Sequence, residues 1–186
     1  MEVDNHPSII TAEDYLEHAT EINEVARQLL NLDTRDATWL QGKISIGLSL
    51  QAAELAGKCM LRGLGCTVEE IRTQHRQHDI LELLRSVQTK LGECQDHELA
   101  KHRRLLLRTP TINGKDFGTT IGAYLEKHFS NGPSAKPRSY FYPDEESFTG
   151  PVPIHALLVM VDDLIEIARE ITHYTDAFEG RNEGNS

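Results

Sequence analysis

The stretch QHRQHDI at residues 74–80 sets two histidines, His75 and His78, three positions apart, with Asp79 directly behind. On a helix that spacing puts both imidazoles on one face, and the carboxylate adds an oxygen ligand for a divalent cation. A zinc site needs three or four ligands, and the next histidines, His97 and His102, lie well along the chain with nothing to fix their approach. No metal and no cofactor is therefore expected. A local reading accounts for more of the stretch. Asp79 followed three residues later by Glu82 has the form of a capping box with Asp at the N-cap, and ILELL then supplies the first buried turn. On this reading EEIRTQHRQ is a polar approach loop.

Three other groupings carry charge at useful spacing. Glu54 and Lys58 are four apart in the favourable order for a helical ion pair, and Lys58 could instead meet a nucleotide phosphate. Lys101, His102, Arg103, Arg104 and Arg108 form the most basic run, fit for a phosphate or for an acidic partner. The plainer reading is the solvated face of an additional helix. Asp162, Asp163 and Glu166 could hold a hard cation, but carboxylates on a helix surface ordinarily face water.

The elements that must position these groups are helical. TAEDYLEHATEINEVARQLLN (11–31) has a capping-box start at Thr11 and Asp14 and one apolar stripe. Residues 38–64 carry apolar side chains on more than one face, which predicts a central, buried helix. Gly42, Gly47 and Gly57 each cost it roughly 1 kcal/mol of propensity, a cost that close helix–helix approach would offset. RGLGC ends it. A third helix is predicted over 79–91, another over 95–108 or a continuation of the third past Gly92, a short one over 118–129 and a last one over 154–176, with a frayed tail from about 178. Residues 130–153 hold five of the seven prolines and read as a connector pinned by Tyr140, Phe141 and Tyr142. No run alternates as a strand should. The expected fold is all-α: one domain over residues 1–186, an antiparallel four-helix bundle with extra short helices inserted at about 92–135.

Charge narrows the function. The net charge of −10 is uneven: residues 1–70 hold 5 basic and 12 acidic residues, whereas residues 71–110 hold 8 and 5. An acidic chain is a poor nonspecific nucleic-acid binder, because phosphate neutralisation supplies most of that affinity. The three cysteines, Cys59, Cys66 and Cys94, have neither disulfide-framework nor metal spacing, and the N-terminal residues lack a basic region with an apolar run. The expected setting is cytoplasmic, with no membrane partner.

QAAELAGKCMLRGLGC (51–66) followed by HDILELLRSV (78–87) resembles the HEPN family of higher eukaryotes and prokaryotes nucleotide-binding domains. Glu54 and Lys58 occupy the family's Glu-x-x-x-Lys-like core, and His78, Asp79 and Ile80 its helix-opening His-Asp-Leu. Tyr142-Pro143 matches part of an Arg-Tyr-Pro step, although Ser139 to Phe141 separate Arg138 from Tyr142. The resemblance implies a module binding a nucleotide or a nucleic-acid-associated partner, in prokaryotic defence or toxin–antitoxin systems. It further implies a homodimer, sometimes beside a nucleotidyltransferase-type protein, with Lys58, Arg138 and Tyr142 as ligand-binding residues. An alternative within the family is a metal-independent ribonuclease acting as a dimer. There an arginine four to six residues before a histidine stabilises the phosphorane while the histidine activates the 2′-hydroxyl. Arg72 and His78 enclose five residues, so their spacing fits, but they precede the third helix rather than sitting near the last one. Arg169 and His173 lie on the last helix but enclose only three. A structural helical adaptor is the remaining alternative.

Overall fold

A computed structural model describes residues 10–31, 39–75, 79–112, 115–116, 118–129 and 153–183 of the chain. The fold is all-α. Its helices are α1 (Ala12–Asn31), α2 (Trp39–Gly63), α3 (Val68–Gln74), α4 (Ile80–Glu93), α5 (His97–Ala100), α6 (Ile121–Phe129) and α7 (Ile154–Glu183). One 3-10 turn (Leu105–Leu107) follows α5, and two short strands, β1 (Thr111–Ile112) and β2 (Lys115–Asp116), pair antiparallel before α6.

Helix α2 is the centre. Ile46, Leu50, Ala52, Ala53, Ala56, Cys59, Met60 and Leu61 are all buried, so more than one of its faces is covered. Helices α1, α4 and α7 each pack against it, and α1 also packs against α7. The segment between α4 and α6, and α6 itself, belong to the same core: Leu99, Leu105, Ile121, Tyr124, Leu125 and Phe129 are buried in one cluster with the long helices.

The ends of the helices follow from their capping chemistry. Thr11 and Asp14 bond reciprocally at the start of α1, with Asp14 N donating to Thr11 Oγ1 at 3.1 Å and Thr11 N donating to the Asp14 carboxylate at 2.7 Å. Helix α2 stops in a Schellman motif: Cys66 N donates to Leu61 O at 3.0 Å and Gly65 N to Arg62 O at 3.1 Å. Gly65 takes φ +87°, which a side chain would resist. Asp79 caps α4, accepting from Glu82 N at 3.0 Å, as expected from the sequence, but Glu82 does not return the bond that would complete a capping box.

Two predicted segments differ. EEIRTQHRQ is not simply an approach loop, because residues 68–74 form α3, started by a full capping box between Thr67 and Glu70. The predicted helix over 95–108 is instead one turn of α5, further turns and the 3-10 turn. Arg103 donates into the C-terminal carbonyls of α4, to Leu91 O at 3.2 Å and to Cys94 O, and this folds the segment back on α4.

The glycines of α2 divide. A Cβ on Gly57 would lie 2.7 Å from Leu83 Cδ2, so Gly57 lets α4 approach closely. A Cβ on Gly42 would meet nothing within 4 Å, so close packing does not explain that residue. Because Leu83 is itself buried, overpacking at Gly57 outweighs the helix-propensity gain. Gly57→Ala is expected to destabilise by about 1 kcal/mol and Gly42→Ala to stabilise by about 0.5–1 kcal/mol in denaturant melts. The opposite order would refute the α2–α4 contact. Asp79→Ala is expected to cost about 1 kcal/mol in the same melts, and an unchanged midpoint would reject the cap.

Candidate functional site

Of the sequence-predicted residues, the structure describes Arg72, Lys58, Arg169 and His173. Arg72 lies exposed in the last turn of α3. Its proposed partner His78 lies outside the described residues, as do Arg138 and Tyr142. Arg169 Nη1 donates to Glu166 Oε2 at 2.8 Å within α7, and His173 is exposed one turn on. Lys58 is not a solvated cation: its Nζ sits 2.5 Å from Glu54 Oε1, and the Glu54 side chain is buried. His75 is also buried, with no partner for Nε2, and that burial holds its pKa below the ordinary value. Among the described residues, no group of three or more His, Cys, Asp or Glu side chains is arranged to hold a metal ion.

The basic run of residues 101–108 converges. Its turn lies against α7, whose carboxylates grip it at two points. Glu170 Oε2 accepts from Lys101 Nζ at 2.5 Å and lies 3.0 Å from His102 Nε2. About two turns back, Asp163 pairs with the Arg108 guanidinium: Nη2 donates to Oδ1 at 2.9 Å, and Nε lies 2.7 Å from Oδ2 without hydrogen-bond alignment. On the α4 side, Leu106 N donates to Gln88 Oε1 at 3.0 Å. Asp96 caps α5 and accepts from Tyr174 Oη, which fixes the start of the segment.

The acidic face of α7 is thus not simply solvated. Asp162 likewise accepts from Asn23 at 2.8 Å and pairs with Arg27, tying α1 to α7.

Between the turn and α7 lies a cavity of about 370 Å³. Lys101, His102, Arg104 and Arg108 line it, with Leu105, Leu107 and Ile167 supplying the apolar wall. Arg104 is exposed and has no polar partner among the described residues. The paired cations keep spare donors: Arg108 still has Nη1, and Lys101 has two more ammonium protons. His102 is 3 % exposed, and its Nδ1 has no hydrogen-bond partner. Burial holds its pKa below the ordinary value, and this outweighs the Glu170 contact that works the other way. The Lys101 hydrogen bond in turn holds the Glu170 carboxyl below its usual range.

Comparisons of the chain with protein-family models, with curated proteins and with solved structures return no match. What the chain does is carried by its geometry alone.

The basic run was visible in the sequence. Its partners were not, because Glu170 is 68 residues from His102 and Asp163 is 55 residues from Arg108.

Two buried histidines and one half-buried one contribute to the response to acid. His75, His102 and His128 are all held below the ordinary 6.5, chiefly by burial, so between the two values the unfolded chain binds more protons. Their stabilising contribution is complete above about 6.5 and is lost as pH falls through the folded values. The thermal midpoint is expected to fall as pH drops from about 7 to about 5, with a shallower slope in His102→Gln. A wild-type midpoint that is flat or rises over that range would contradict the desolvation of these rings.

Proposed function

We propose that the chain is an HEPN-like helical binding module whose basic turn takes a phosphate-bearing ligand of the nucleotide class. One observation carries the reading: Arg104, a cation without a partner among the described residues, stands at a pocket that Lys101 and Arg108 also line. Arginine and lysine donors around one concavity are the usual means of holding phosphate oxygens. The four long helices support the HEPN-like part, as does Asp79 opening α4 behind an α2 that carries Glu54 and Lys58. The homodimer, the nucleotidyltransferase-type partner and a place in defence or toxin–antitoxin systems belong to the same proposal.

Binding is favoured over RNA cleavage. Of the paired arginines, Arg72 is exposed and Arg169 is held by Glu166. Lys58 is likewise tied to Glu54, so the ligand site moves from α2 to the turn that follows α5.

Calorimetric titration with AMP, ADP and ATP at low salt tests the proposal. Measurable binding is expected, weakened at least tenfold by Arg104→Glu, with the melting temperature unchanged because Arg104 is exposed. Absence of binding for all three nucleotides would refute it, and so would unchanged affinity in the variant.

A further inference from the structure

The pocket on the turn has three properties beyond its positive charge, and together they select among phosphate compounds. This inference rests on the phosphate-binding reading of the same pocket.

The first property is the sum of charges. Lys101, Arg104 and Arg108 bring three cations to the site, while Glu170 and Asp163 stand against two of them. One net positive charge remains. Glu166, in the adjacent turn of α7, is itself balanced by Arg169. A buried His102 held below its ordinary pKa adds no charge at neutral pH. Such a site suits one phosphate group. A triphosphate would bring more negative charge than the cations can balance, and part of it would sit beside two carboxylates.

The second property is size. A cavity of about 370 Å³ stands near the lower end of ligand-pocket volumes, roughly 300–1,000 Å³, which fits one small molecule and not an oligonucleotide.

The third property is an exposed apolar surface at the mouth. Leu107 is 65 % exposed, and Val25 on α1 is the other large hydrophobic residue exposed among the described residues. The turn places Leu107 beside Arg104 and Arg108, with Leu105 and Ile167 continuing the apolar wall inward. Leu107 is well exposed, whereas the neighbouring Leu105 is fully packed. A ligand with a flat or apolar group would cover it while its phosphate meets the guanidinium.

We infer that the occupant is a phosphate monoester of mononucleotide size with an apolar face, and that within the nucleotide class this is a nucleoside monophosphate. Its phosphate sits between Arg104 and the spare donors of Lys101 and Arg108. Its base rests on Leu107.

Competition among three probes tests this: AMP, ATP, and glycerol 3-phosphate, which has the same monoester charge as AMP but no apolar face. AMP is expected to bind more tightly than ATP and about tenfold more tightly than glycerol 3-phosphate, the effect of covering most of one leucine side chain. In Leu107→Ser the ratio of AMP to glycerol 3-phosphate affinity should fall toward one, with melting unchanged. ATP binding tightest would overturn the inference on charge. Equal AMP and glycerol 3-phosphate affinities, or a ratio unmoved by Leu107→Ser, would overturn it on the apolar contact. In each of those cases the pocket still binds phosphate and the broader proposal stands. Failure of all three probes to bind refutes both.

Discussion

The need to cover α2 governs this fold. A helix with buried residues on several sides must have neighbours on each of them, and α1, α4 and α7 supply these. Gly57 sets how near α4 can come, because its missing Cβ is the space that Leu83 fills. Once α4 is seated there, Arg103 can reach back to the carbonyls at its end and Gln88 can hold Leu106. The turn is thereby placed over α7, where Glu170 and Asp163 meet it. The pocket thus depends on α2 packing at two removes.

The ion pairs at this turn do two things at once. A surface pair contributes little to stability, on the order of 0–1 kcal/mol, so Lys101–Glu170 and Arg108–Asp163 matter less as cement than as positioning. They fix the direction of two cations and neutralise part of their charge. A basic run that reads as strongly attractive in the sequence becomes a site with a small net charge. The overall charge of −10 acts against polyanionic ligands in the same direction.

Much of the helical frame was legible in the residues. The apolar faces of α2, the glycine stop at Gly65 and the Asp79 cap all depend on neighbours within a few positions, and the structure bears each out. Helix α3 was legible too, since Thr67 and Glu70 form a capping box, but its seven residues show little apolar periodicity beyond Ile71. The segment over residues 95–108 reads as one helix because no glycine or proline interrupts it. Bonds of Arg103, Gln88 and Asp96 bend it instead, and all three join the segment to α4 or α7, which no local pattern shows. Glu54 and Lys58 were recognisable as a pair, but their burial depends on how the bundle closes.

The central claim is that the ligand's phosphate lies on the turn and not on the residues the family resemblance would single out. A crystal structure of the protein with AMP tests that most directly. The account predicts phosphate oxygens within hydrogen-bond distance of Arg104, with Lys101 or Arg108 as a second donor and the base against Leu107. Phosphate density at Arg72 or Lys58, with the turn empty, would contradict it.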